Sequence, residues 1–250
     1  MRPIIVKLKP TGGFAYFLHI LLVLIVPILA LVLVSLNFVQ LALSIIVLSK
    51  WRMFAVRPRF WAANIRANAI DLMVGLSIVA FMSHSDSFVV RLVWAALYSV
   101  WLLYIKPSSS DIMVASQAFI GQLFALIALY LTWASGPIYG LTLLTGLFCY
   151  LAARHFLETF EEPYSRLIAY TWGYFGAALA WLLSHWLIYY KNISQVTVFL
   201  SVIGYGIAVL YYLDHFNKLN KTYKRVIISS MVVIVVAMIA FSGWWGDKVV

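Results

Sequence analysis

The sequence predicts an all-α protein, a polytopic bundle of transmembrane helices with no extramembrane domain. Three observations carry this: 64% of the 250 residues are hydrophobic and 10% charged, with a mean hydropathy of +0.97; the apolar residues form runs about as long as a bilayer is thick; and short turns separate the runs. A soluble domain is about half apolar and about a quarter charged, so this excess has no single water-soluble core to occupy. The composition also excludes disorder, a collagen-like repeat and a disulfide scaffold. The single cysteine, Cys149, sits among Phe148, Tyr150 and Leu151 and reads as a small buried hydrophobe.

At the start of the chain Arg2, Lys7 and Lys9 precede an apolar run from Phe14. This resembles a signal peptide, but the run outlasts an apolar region of about 7–15 residues and no small-residue cleavage site follows, so an uncleaved first helix is predicted. Residues 14–49 would reach about 54 Å as one helix, too far for one span. A hairpin accommodates them: a helix over 14–34 containing Pro27, a turn at Ser35-Leu36-Asn37, and a second helix over 38–54. Residues 55–66 form a basic interfacial segment in which Arg57 and Arg59, beside Phe54, Phe60 and Trp61, meet lipid phosphates.

Seven further spans follow at 67–83, 88–105, 112–133, 137–157, 167–190, 193–213 and 226–245, each near the roughly 20 residues that a bilayer requires. Their breaks carry turn chemistry: Ser83-His84-Ser85-Asp86-Ser87, Lys106-Pro107-Ser108, Ser135-Gly136-Pro137 and Lys191-Asn192. Trp51, Trp61, Tyr104, Trp133, Tyr139, Tyr189, Tyr190, Tyr211, Tyr212, Trp244 and Trp245 fall near the span ends, where amphipathic rings prefer to lie.

Charge sets the count and the orientation. With the hairpin, Arg91, Lys191 and Lys248 lie on one side and the other fifteen of the 18 basic residues on the other; without it the split is twelve to six. The positive-inside rule favours the first, hence nine helices, the N-terminus cytoplasmic and a plasma or inner membrane location. Eight helices with one long kinked first helix is the alternative. The net charge of +10 then belongs to anionic headgroups, met by Arg57, Arg59, Lys218, Lys221, Lys224 and Arg225, and not to nucleic acid.

Small residues predict helix contacts, since association in lipid relies on close backbone approach. Gly173 with Ala177 and Gly176 with Ala180 mark the 167–190 span, Gly204, Gly206 and Ala208 the 193–213 span, and Ala118, Gly121 and Ala125 the 112–133 span. These three spans are expected to form the packed centre, within one chain or between two copies.

Intramembrane ionisable groups are costly and therefore candidates for function. Asn64, Asn68, Asp71 and Gly75 share a helix face, with Asp71 expected to pair with Arg57, Arg59 or Arg66, or else to bind a cation or proton. His155, Glu158 and Glu162 recur at i, i+3 and i+7, Arg154 can pair with Glu158, and Pro163 is expected to end that helix. Three glutamates against the negative end of a helix dipole call for positive charge from Arg154, Arg166, a basic partner or a metal. The His-x-x-Glu-x-x-x-Glu face has no second copy of the kind dinuclear sites use, and nothing in the sequence brings His84, Asp86 and His185 together, so neither a metal nor a cofactor is assigned. Gln117 and Gln122 are amides placed to touch a solute or to join helices.

No phosphate-binding loop, nucleophile elbow, His-Glu-x-x-His pair or cysteine knuckle occurs. The expected function is that of a structural or interaction component of a membrane assembly, binding lipid and a protein partner or a second copy. A small transporter or channel is the alternative, and a lipid-modifying membrane enzyme comes third.

Overall fold

A computed structural model describes residues 13–185, 188–190 and 193–240. The positions predicted at Arg2, Lys7, Lys9, Lys191, Asn192, Trp244, Trp245 and Lys248 lie outside them. The chain is a helical bundle in the order α1 (Phe14–Ser35), α2 (Val39–Leu48), α3 (Trp61–Ala67), α4 (Ala69–Ser83), α5 (Phe88–Val100), α6 (Asp111–Trp133), α7 (Ile138–Thr159), α8 (Ser165–Ser184), α9 (Gln195–His215) and α10 (Lys221–Ala240). Among the described residues, seven helices are long and apolar enough to cross a membrane, and the α3/α4 pair, bent by 65°, makes an eighth if taken as one span.

The hairpin turn falls where charge and length place it. Asn37 adopts a left-handed conformation (φ 63°) between α1 and α2, one that Asn tolerates better than most residues. The second helix is shorter than the predicted 38–54: α2 has ten residues, about 15 Å, so the count of nine full-length spans is not met by length alone. The chain leaves the helix at Ser49, and Lys50 immediately enters an ion pair with Asp71. Two one-turn 3₁₀ helices, Trp51–Met53 and Pro58–Phe60, carry the basic segment onward. Arg57, Arg59 and Trp61 are exposed along it. The bend at Asn68 also breaks the single face predicted for Asn64, Asn68, Asp71 and Gly75, leaving Asp71 and Gly75 together on α4.

Three other boundaries move for local reasons. Helix α7 stops at Thr159, four residues before Pro163, with Glu161 left-handed at φ 52°. Helix α8 ends at Ser184 because Tyr189–Tyr190 turns back as strand β1 against β2, Ile193–Ser194. Helix α10 begins five residues earlier than predicted, with Asn220 Oδ1 accepting the Tyr223 backbone N–H at 2.7 Å.

The core has two main clusters. Val34, Ile46, Ile78, Met82 and Tyr98 join α1, α2, α4 and α5, while Leu126, Leu141, Cys149, Ala180 and Leu200 join α6 to α9. The most extensive helix pair is α7 with α8, which corrects the predicted three-helix centre: the glycine face of α8 meets α7. A Cβ on Gly173 would stand 2.9 Å from the Gly146 carbonyl oxygen, and one on Gly176 would stand 2.7 Å from Cys149 Sγ.

Candidate functional site

Lys50, the start of α4, the ends of α5, α7 and α9 and the starts of α6, α8 and α10 all lie on one side of the bundle. Asp71, His155, Glu158 and Glu162, four of the ionisable residues singled out from the sequence, lie there. Asp71 is buried at 8% exposure and accepts from three donors: Lys50 Nζ at 3.0 Å and Lys106 Nζ, both on Oδ2, and Trp101 Nε1 at 3.0 Å on Oδ1. The predicted arginine partners are therefore replaced by two lysines. Arg57 and Arg59 point to the exterior, and Arg66 instead approaches Glu158 at 3.9 Å.

The convergence of Trp101 and Lys106 on one carboxylate has a backbone cause. On an α-helix these residues lie about 140° apart. Helix α5 continues into a π turn, Trp101–Ile105, closed by the Lys106 N–H donating to the Trp101 carbonyl at 2.8 Å. That five-residue step stacks Lys106 above Trp101, and single π turns often occur at functional sites. One turn earlier Tyr98 is 1% exposed and its hydroxyl has no hydrogen-bond partner among the described residues. It fits only because residue 75 is glycine, where a Cβ would stand 2.7 Å from both Tyr98 Oη and Ile46 Cγ2.

The tie continues into α6 and α7. Gln117 Nε2 donates to the Ile105 carbonyl at 2.6 Å and to the Ser108 carbonyl at 3.1 Å, while Gln117 Oε1 lies 3.1 Å from His155 Nε2. His155 thus faces α6, and Glu158 faces Arg154, as its i, i+4 spacing predicts. Arg154 is 5% exposed and also donates to Ser165 Oγ at 2.9 Å, fastening α7 to α8. Glu162 lies beyond the helix and so does not share the predicted face; it accepts from Tyr211 Oη at 2.6 Å. Arg154, Arg66 and Tyr211 therefore answer two of the three glutamates from within the chain. Phe156 and Phe160 pack edge-on against Tyr211, and His215 stacks on Tyr211 at 6.1 Å and 19°, which seats the end of α9.

His84 and His185 bond within their own helices, through Nδ1 to the Ala80 carbonyl (2.9 Å) and the Trp181 carbonyl (2.8 Å). Among the described residues no group of three or more His, Cys, Asp or Glu is placed to hold a metal. Neither Lys106, at the end of a span, nor Lys50, after the short α2, stands in sequence register with Asp71, so spacing alone does not pair them with it. The signal available was the excess of lysine over carboxylate at the span ends.

The Lys50–Asp71–Lys106 group holds two ammonium ions against one carboxylate. Burial, assisted by the neighbouring Lys106, lowers the Lys50 pKa from 10.5 to about 8, although Asp71 pulls the other way. A group that binds its proton less tightly folded than unfolded makes the fold more stable as pH rises between the two values. The thermal midpoint in detergent should therefore climb between about pH 8 and pH 10.5, and Lys50→Met should flatten that climb. Identical profiles for the two proteins would show that Lys50 does not titrate there.

The chain matches no known protein family, and no curated protein or solved structure shows detectable similarity to it.

Proposed function

We propose that this protein is a structural or interaction component of a membrane assembly, with its N-terminus and its basic side facing the cytoplasm. One observation carries the reading: the costly polar groups are used to join helices. Asp71 ties α4 to α5 and to the segment after α2; His155 ties α7 to α6; Arg154 ties α7 to α8; Glu162 ties the α7/α8 turn to α9. A transporter would leave such groups along a solute path. Outside this tied core α10 buries none of its residues, and α1 exposes Phe17, Leu22 and Ile28. These apolar helices supply faces for a partner helix or a second copy. Arg57, Arg59, Lys218, Lys221, Lys224 and Arg225 are exposed and meet anionic headgroups. In the nine-pass form of this reading α2 serves as the return limb of the hairpin, so the two chain ends face opposite sides.

Purification from native membranes with a protease-cleavable tag at either end tests this. Tags cleaved from opposite faces, together with a defined oligomer or a stoichiometric partner, support the proposal. A monomer without partner that moves an ion across proteoliposomes would replace it with the transport reading. That second reading is favoured by the surplus ammonium beside Asp71, where burial lowers the Lys50 pKa to about 8.

A further inference from the structure

Helices α6, α7, α8 and α9 line a half-open cavity of about 550 Å³, within the range of about 300–1,000 Å³ typical of small-molecule sites. Small residues make the space, among them Ala118, Ala152, Gly204 and Ala208. Helix α8 lines one wall with Trp172 and Phe175, whose rings stack at 5.5 Å and 23°. The α8 rim is open to lipid, since Leu167 and Ile168 are 65% and 40% exposed.

Three polar side chains interrupt this apolar lining, and two of them are already satisfied: Thr171 donates to the Leu167 carbonyl at 3.0 Å and Tyr211 to Glu162 at 2.6 Å, which leaves Gln122. Gln122 stands halfway along the 23-residue α6 and is 6% exposed. Its Oε1 accepts from Trp172 Nε1 at 3.0 Å. An indole only donates, so this contact fixes which way the amide points. The NH₂ group then carries two N–H donors, and its partner is the Leu200 carbonyl at 3.5 Å, beyond the roughly 2.7–3.2 Å of a good N–H···O bond. An under-used donor in mid-hydrocarbon is costly. Gly204 leaves the amide approachable, because a Cβ there would stand 3.4 Å from Gln122 Nε2 and 2.9 Å from the Trp172 ring.

We infer that this cavity binds a lipid-soluble molecule with a flat, carbonyl-bearing ring, a quinone in chemical class. The ring carbonyl accepts from Gln122 Nε2, the ring lies against Trp172 and Phe175, and any apolar tail leaves past Ile168 into the bilayer. A plain acyl chain fills the same volume but leaves the amide unanswered. This goes beyond the assembly reading, which assigns no ligand, and stands or falls separately from it.

Equilibrium dialysis of the full chain in detergent tests the inference with duroquinone and with durene, the same methylated ring without carbonyls. Duroquinone should bind saturably, at one per chain and more tightly than durene. Gln122→Leu should weaken duroquinone by about tenfold, the worth of one good hydrogen bond, and leave durene unchanged. Ala208→Phe should abolish both by filling the cavity. The comparison of the two ligands on the unaltered protein needs no variant: equal affinity for both, or unsaturable uptake of duroquinone, would overturn the inference.

Discussion

Asp71→Asn is expected to lower the stability of the detergent-solubilised protein by about 3 kcal/mol or more, the cost of leaving a buried ion pair without one partner. The change keeps the shape and one acceptor oxygen for Trp101 Nε1 but removes the carboxylate that Lys50 and Lys106 share. Two ammonium ions then face each other, one on a side chain only 10% exposed. The loss should fall on the junction of α2, α4 and the π turn, and should be partly recovered in Asp71→Asn/Lys50→Met, where one unpaired charge is gone. A thermal midpoint unchanged in Asp71→Asn would show that the three-way contact does not hold these elements together. Strong loss of an ion-coupled activity with an unchanged midpoint would instead assign Asp71 to transport.

Gly173→Leu should also be strongly destabilising. In lipid the drive to join helices comes from packing, not from exclusion of water, and α7 and α8 meet backbone to backbone. At Gly173 a Cβ would stand 2.9 Å from both the Gly146 carbonyl oxygen and Tyr150 Cβ, and at Gly146 one would stand 3.0 Å from the Gly173 carbonyl oxygen. Neither neighbour is the free end of a flexible chain, so the helices must part, and overpacking of this kind costs about 1–3 kcal/mol or more. Parting them also strains the Arg154 to Ser165 bond between the same two helices. Ala178→Leu, on the exposed face of α8, is the matched control and should change the midpoint little. Equal midpoints for the two variants would show that the glycine contact is not what holds the pair.

The sequence by itself determined the solvent, the helical class and most of the helix limits, because a span must be long and apolar and turn residues punctuate it. It also marked Asp71, His155, Glu158 and Glu162, since ionisable groups in apolar runs are few, and it placed the hairpin turn at Asn37. The small residues of α8 were legible as a contact face; that α7 occupies this face is a property of the assembled bundle. Tertiary structure alone decided the partners. Lys50 and Lys106 are 21 and 35 positions from Asp71, and no periodicity relates them to it. Their meeting depends on a π turn that shifts Lys106 over Trp101, on a 65° bend that separates Asp71 from Arg66, and on α2 stopping after ten residues. Each is a local departure from the regular helix, stabilised by contacts that exist only after the helices pack. Spacing on an ideal helix therefore has no means of showing them.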